Sequence, residues 1–321
     1  MDKTIRVARS FIAASALAER ISAEYELDGL VNCKLFSKML RTQDNDHYLV
    51  SVSNGDQYVA RLYQEGTQFD RAESDYLYEL DWLLFLKENG LPVSYPIQRR
   101  DGSYLGSVMA PEGLRYFAIF TLARGQTLSV KDPEQLWIMG NQIAQIHITS
   151  NEFKTEHVRQ PIDLTALVDK PVERIKAFFV DENSQKLEFM LIAAEEAKSE
   201  IQALIKNEQD TPDAWGPIGG DFHQSSVFFD SFNQPTFFNF DHCGPGWRSY
   251  DIAAFLFNSN LMHQSNQELS EAFFAGYFSV RQLSDNEHAA ISSFLTIRRI
   301  WHTGLFALTE GLAGHTFIAP I

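Results

Sequence analysis

Cysteine is scarce in this chain: Cys33 and Cys243 are the two copies, far apart in sequence. That excludes a disulfide framework and a cysteine-based zinc site, and it fits a reducing cytoplasm. Cations are outnumbered, with 27 Lys and Arg facing 42 Asp and Glu for a formal charge of −15. Nucleic-acid binding rests on clustered Lys and Arg that displace counterions, so no nucleic-acid partner is expected. No apolar run approaches the ~20 residues of a membrane span, and no membrane partner is expected. Arg6, Arg9 and the apolar run Phe11–Ala18 faintly resemble a signal peptide. The run is short and closes on Glu19-Arg20, so an amphipathic first helix is the better reading. Internal repeats, low-complexity segments and a nucleophile elbow are also missing.

The 321 residues are enough for two lobes with a sizeable core, and 25 phenylalanines point to aromatic-rich cores and clefts. Residues 8–25 read as a helix. Tyr48–Val52 and Gln57–Tyr63 flank Asn54-Gly55, a strong hairpin signal. Residues 70–89 carry apolar side chains at helical spacing and stop at Gly90, with Pro92 beyond. Strands are expected around 104–109 and 115–122. After Gly125 the character turns helical: Pro133–His147 behind the start signal Asp132-Pro133, then 171–179 and 186–207. The stretch from Trp215 to Asp241 reads as loop, strand, turn and strand. From Ser249 onward the chain is helical, with breaks near 258–260 and 284–285. The expected boundary is near 122–126, giving residues 1–122 a small antiparallel sheet with helices and residues 123–321 a mostly helical body.

Several polar residues sit where chemistry could use them. Val59, Arg61 and Tyr63 share one strand face, and a cation among apolar neighbours wants an anion; a surface arginine on an edge strand is the alternative. Glu79 lies among Leu77, Leu80 and Leu83 on the next helix, so it either faces inward to pair with Arg61 or is solvated. Asp221 and His223 follow Gly219-Gly220, where small residues permit an unusual backbone and close approach to a ligand. A turn-capping role is the plain explanation of such an Asp. Asn239 and Asp241 are two apart, so in extended chain they point the same way. Asp251 opens a helix, where N-capping is natural. Cys243 beside His242 lacks the spacing of a metal set and reads as a bystander thiol.

Taken in order, these residues resemble the aminoglycoside phosphotransferase superfamily, which includes choline kinases, type II homoserine kinases and the stress-response kinase A proteins. Gly219-Gly220-Asp221-Phe222-His223-Gln224-Ser225-Ser226 and Asn239-Phe240-Asp241 resemble its catalytic loop and metal-binding strand. Gln57–Tyr63 resembles the strand of the phosphate-pairing cation, Leu40–Asn45 the nucleotide-covering turn, Phe117–Phe120 the strand entering the hinge, and Gly140–His147 a family helix. Gly276-Tyr277 and Arg298-Arg299 resemble its late helices. The resemblance implies an α+β, bilobal, protein-kinase-like fold with a small antiparallel-sheet N-lobe and a mostly helical C-lobe. It implies ATP with magnesium or manganese as cofactors, and a cytoplasmic location. It assigns Asp221 as base with His223 nearby, Arg61, Glu79 and Asn45 to the nucleotide, Asp241, Asn239 and Ser226 to the metal, and Asp251 to bracing the loop.

Three positions depart from the family pattern. Gly219 replaces a histidine, Ser226 replaces the metal-binding asparagine, and Asn239 replaces the metal-binding aspartate. Magnesium favours charged oxygen ligands, so the metal site is altered. The leading expectation is therefore transfer of the γ-phosphoryl group of ATP to a hydroxyl of a small molecule or protein side chain. The alternative is a pseudokinase that binds or regulates, which leaves a protein partner open. The acceptor is expected on the C-terminal part, between about 150 and 210 and after 255. Asp163, Glu173 and Asp241 would suit a cationic acceptor there, although scattered acids are usually just solvated.

Overall fold

A computed structural model describes residues 10–36, 45–64, 71–179, 185–205, 213–262 and 266–307. Strands β1 (Val31–Leu35), β2 (Asp46–Val52), β3 (Gln57–Leu62), β4 (Gly106–Ala110) and β5 (Gly113–Thr121) form one antiparallel sheet in the order β1-β2-β3-β5-β4. The β2–β3 hairpin turns at Asn54-Gly55: Gly55 takes φ 100°, and Asn54 Oδ1 accepts the Asp56 N–H at 2.9 Å.

Alternation along the strands gives the sheet two different faces. Tyr48, Val50, Ala60, Leu62, Phe117 and Ile119 are buried on one face. They pack on Leu17, Ala18 and Ile21 of α1 (Ala14–Glu24) in a small core. The opposite face presents His47, Leu49, Val59, Arg61 and Phe120 to a cleft.

Helix α2 (Glu73–Glu88) follows the hairpin but packs into the larger core of the C-terminal half. Its Trp82 donates Nε1–H to Ser150 Oγ at 2.9 Å and stands edge-on to Phe240, with ring centroids 5.5 Å apart. The segment after α2 ties the two halves together. Ser94 N donates to Phe237 O, and Phe237 N donates to Pro92 O, both at 2.7 Å.

The C-terminal half is mostly helical: α3 (Pro133–Thr149), α4 (Lys170–Phe178), α5 (Gln185–Ile205), α6 (Arg248–Asn258), α7 (Gln267–Phe278) and α8 (Asp285–Ala307). Asp132 caps α3, its Oδ1 accepting from Glu134 N at 3.0 Å. Helices α3 and α7 cross with their backbones touching. A Cβ on Gly140 would strike the Phe273 carbonyl, and one on Gly276 the Trp137 carbonyl. Short strands complete the half: β6 (Gln126–Thr127), β8 (Val227–Phe229) and β9 (Pro235–Phe237) in one ribbon, and β7 (Trp215–Ile218) with β10 (Gly244–Trp247) in another. Strands β7 and β10 are additions to the sequence reading. Each has four residues and carries Gly and Pro, so neither shows an alternating pattern; they exist because they pair with each other. Among the described residues no helix is long and apolar enough to cross a membrane.

Candidate active site

The cleft between the sheet and the C-terminal half has a volume of about 720 Å³. Its roof is the β2–β3 face with Val59 and Arg61, its back is the connection 121–125, and its floor includes Phe228, Phe238 and Asn239. A mostly apolar slot with a few polar groups at one end is what a planar ring with a polar tail requires.

Arg61 marks the polar end. Glu79 is fully buried and faces inward, with its Oε1 2.5 Å from Arg61 Nη1. Burial disfavours the charge on Arg61, but Glu79 outweighs it and keeps the guanidinium firmly protonated. Phe120 lies under the guanidinium at 4.6 Å from its ring centroid. His47 stands opposite Arg61 in the β2–β3 register. Burial, together with the charge of Arg61, pushes its imidazole down to about 4, so it is neutral at ordinary pH.

Asn45 joins the sheet to the segment that carries Asp241. Its Oδ1 accepts from Gln64 N at 2.9 Å and its Nδ2 donates to Asp241 Oδ2 at 3.0 Å. The rest of the expected covering turn, residues 40–44, lies outside the described residues. Asp241 also receives Arg71 and Arg159 on its backbone carbonyl. Burial opposes its charge, yet His242, Arg61, Arg71 and His47 hold the carboxyl far below the usual range. Its Oδ1 is buried without a hydrogen-bond partner. A buried, ionised oxygen with no partner is costly unless a cation or donor arrives with a ligand.

Asn239 lines the cleft in the left-handed region, at φ 67°. That turn breaks the extended run from which a common face of Asn239 and Asp241 was expected. An asparagine tolerates this backbone better than most residues. Ser226 is committed elsewhere: its Oγ accepts from His223 N at 3.0 Å and donates to His223 O at 2.7 Å. His223 Nδ1 in turn accepts from Ser225 N at 3.1 Å. Together these bonds shape the turn after Asp221.

Gly219-Gly220 positions Asp221. Gly220 takes φ 74°, and a Cβ there would strike the His242 carbonyl. Both N–H groups donate to Asp251, Gly219 to Oδ2 at 2.8 Å and Gly220 to Oδ1 at 2.7 Å. Burial still pushes the Asp251 carboxyl up to about 7. His147 Nε2 lies 3.2 Å from Asp251 Oδ2, and burial keeps that imidazole neutral.

Sequence reasoning left out the groups that hold Asp221 itself. Arg298 of α8 donates to Asp221 Oδ1, and Asn258 Nδ2 donates to the same oxygen at 3.1 Å. Arg298 is anchored by Tyr250 OH at 3.2 Å and by the Trp301 ring, 4.3 Å away. Burial opposes the charge on Asp221, but Arg298, His242 and His223 outweigh it and keep the carboxyl below its ordinary value. Oδ2 makes no hydrogen bond to a described residue. A signal for Arg298 was present: it sits between Ile297 and Ile300 and in helical phase with Phe294 and Trp301, where a core-facing cation needs an anion.

The chain as a whole matches known proteins. The sequence profile of the phosphotransferase enzyme family, APH, matches residues 39–290. The chain belongs to this family. An uncharacterized protein of Synechocystis sp. is 29% identical over 308 residues, covering 96% of this chain and 81% of that one. A homoserine kinase of Brucella anthropi is 26% identical over 253 residues, covering 77% and 71%. Among solved structures, a microcompartment-associated aminopropanol kinase aligns with a TM-score of 0.75 at 20% identity, covering 93% of this chain and 91% of that one. Amicoumacin kinase in complex with AMP-PNP, Ca²⁺ and Ami gives 0.74 at 18% identity, covering 95% and 90%. The fold is thus the bilobal kinase-like fold of aminoglycoside phosphotransferases.

Proposed function

We propose that this protein transfers the γ-phosphoryl group of ATP to the hydroxyl of a small molecule, with residues 1–122 as the nucleotide lobe and 123–321 as the acceptor lobe. The observation that carries this reading is the state of Asp221. Arg298 and Asn258 hold one oxygen of an ionised carboxylate and leave the other open. Phosphoryl transfer depends on positioning and electrostatics more than on a strong base. Asp221 Oδ2 holds the acceptor O–H and takes its proton as the acceptor oxygen bonds to the γ-phosphorus. The bond from that phosphorus to the β–γ bridging oxygen breaks, and ADP leaves. Arg61, fixed by Glu79, pairs the phosphates. Asn45 ties the nucleotide lobe to Asp241, and Asp251 holds the Gly219-Gly220 turn.

Among the described residues, no three of His, Cys, Asp and Glu come together as a metal site. The orphaned Asp241 Oδ1 and the amide of Asn239 suit a magnesium ion that takes its remaining ligands from phosphates and water. Ser226 does not fit, because its hydroxyl is spent on the His223 turn. When bound there, a magnesium ion would offset the negative charge of the phosphates. Neutral Asn239 and committed Ser226 also support a second reading, a nucleotide-binding protein without transfer.

Thermal-shift titration with ATP, alone and with magnesium, is the test, joined to an ADP-release assay. Ligand at about 100 times its Kd adds ~2.7 kcal/mol, a shift of several degrees. The kinase reading expects a metal-dependent shift and acceptor-dependent ADP release that Asp221→Asn removes. A metal-indifferent shift with no ADP release selects the second reading.

A further inference from the structure

The carboxylate that holds the Gly219-Gly220 turn is itself the end of a chain of buried side chains. His147 of α3 stands between Asp251 of α6 and Tyr277 of α7. Its Nε2 lies 3.2 Å from Asp251 Oδ2 and its Nδ1 2.9 Å from Tyr277 OH. Arg281, just past the end of α7, donates Nη1–H to the same hydroxyl at 3.1 Å. Its Nη2 donates to Glu287 Oε1 of α8 at 2.6 Å and to the Asp213 carbonyl. Glu287 Oε2 accepts from Ser284 N at 3.0 Å. All five side chains are buried, and they come from four helices and one connection, so no single stretch of sequence shows the chain.

The direction of each hydrogen bond follows from the two ends. A guanidinium can only donate, so the Tyr277 oxygen accepts from Arg281. The single hydroxyl hydrogen is left for His147 Nδ1, the other hydrogen-bond partner of that oxygen. An Nδ1 that accepts carries no hydrogen. Burial, and then the charges of Arg248 and Arg281, keeps the ring neutral, so its one proton is on Nε2 and points at Asp251. The opposite direction fails, because an Nδ1–H would leave the tyrosine hydrogen buried with no acceptor among the described residues. Asp251 therefore takes a third donor besides the Gly219 and Gly220 N–H groups. That donor matters, because burial pushes the carboxyl up to about 7 against those two N–H groups and the charges of Arg248 and Arg298. A further donor favours the ionised form, in which both oxygens accept.

We propose that Tyr277, oriented by Arg281, is a positioning residue for the loop that carries Asp221, acting through His147 and Asp251 along this one-way chain. Neither Tyr277 nor Arg281 lines the cleft. What they set is the Gly219-Gly220 turn, where Gly220 holds φ 74° with its N–H fixed on Asp251 Oδ1 at 2.7 Å, and Asp221 follows directly. The chain is a property of the fold, and only its effect on turnover rests on the phosphotransferase reading.

Three measurements on the full-length chain test it. First, NMR with ¹⁵N-labelled histidine reads the ring of His147, assigned by the signals that His147→Gln removes. A proton on Nε2 and an accepting Nδ1 are expected. A proton on Nδ1, or a doubly protonated ring at neutral pH, overturns the proposal. Second, amide hydrogen exchange is compared between wild type and Tyr277→Phe, which removes one oxygen and keeps the ring. Protection of the Gly219 and Gly220 amides should fall about fivefold, the worth of one neutral hydrogen bond, relative to the most protected amides of the chain, which report global unfolding. An equal loss everywhere, or none at the two glycines, means that Tyr277 only packs and overturns the proposal. His147→Gln, which can still donate to Asp251, should keep more of that protection than His147→Leu. Third, ADP release by Tyr277→Phe should show kcat lowered about fivefold with KM for ATP unchanged. Loss of glycine protection with unchanged kcat overturns the positioning role and leaves the kinase reading intact. Loss of glycine protection where wild type itself releases no ADP supports the chain and counts against the kinase reading.

Discussion

Arg298 grips one carboxylate oxygen of Asp221 across 77 positions of sequence, and Asn258 shares that oxygen. The contact fixes where the other oxygen points. Asp221→Asn keeps the shape and removes the charge. Acceptor-dependent ADP release should fall about 10²–10⁴-fold, and urea unfolding should show a loss of up to about 3 kcal/mol, because Arg298 is left buried without its anion. Arg298→Met leaves Asp221 without its cation, and unfolding in urea should show a loss of about 3 kcal/mol. That figure sits at the low end for buried pairs because the Asp221 side chain keeps 18% of its exposure.

Glu79→Gln should be costly although it conserves volume. Arg61 and Glu79 are both buried, so the change strands a guanidinium in the core. A loss of about 3 kcal/mol in urea unfolding is expected. Nucleotide affinity should drop as well, because Arg61 loses the partner that aims it. Unchanged stability would mean that Asp241, whose charge also favours protonated Arg61, or solvent takes over the pairing.

Stability should fall in mild acid through His47. Its folded value is about 4 against 6.5 for the ordinary side chain. Below pH 6.5 the unfolded chain takes up a proton that the native chain refuses. The stabilisation is therefore intact above that value and is lost as pH falls towards 4. The contribution is at most about 2–3 kcal/mol, discounted because His47 is only half-buried. His147 and His242 are shifted the same way, so His47→Gln should reduce the slope of stability against pH between 6.5 and 4 without abolishing it.

Asn239→Asp and Ser226→Asn should behave differently, although both move towards the family pattern. Asn239 lines the cleft and already has the left-handed backbone that aspartate tolerates. Its replacement should tighten magnesium-dependent nucleotide binding, about tenfold by thermal-shift titration, through one added charged ligand. Ser226 is buried and braces the His223 turn, so a larger side chain there should cost about 1–3 kcal/mol in unfolding.

Gly276→Ala should loosen the C-terminal half. A methyl group at this position meets the Trp137 carbonyl across the α3–α7 crossing. A loss of about 1–3 kcal/mol is expected by thermal or urea unfolding, because backbone cannot move aside as a side chain can.

The sequence by itself determined the hairpin, the helices and the cation face of β3, because local turn chemistry and the two side-chain periods write these directly into neighbouring residues. It also carried the ordered motif set by which the family was recognisable. Where the signal is local but the contact is not, it gave candidates without partners. Glu79 could face either way until α2 packed into the larger core and met Arg61. Alternation failed at Asn239, because a left-handed residue reverses the chain in a way that residue type alone does not announce. The tertiary structure alone brought Arg298 and Asn258 to Asp221, and lined up Arg281, Tyr277 and His147 behind Asp251. Hydrogen bonds and electrostatics depend on distance in space, and these groups come from separate stretches of the chain and meet only after folding.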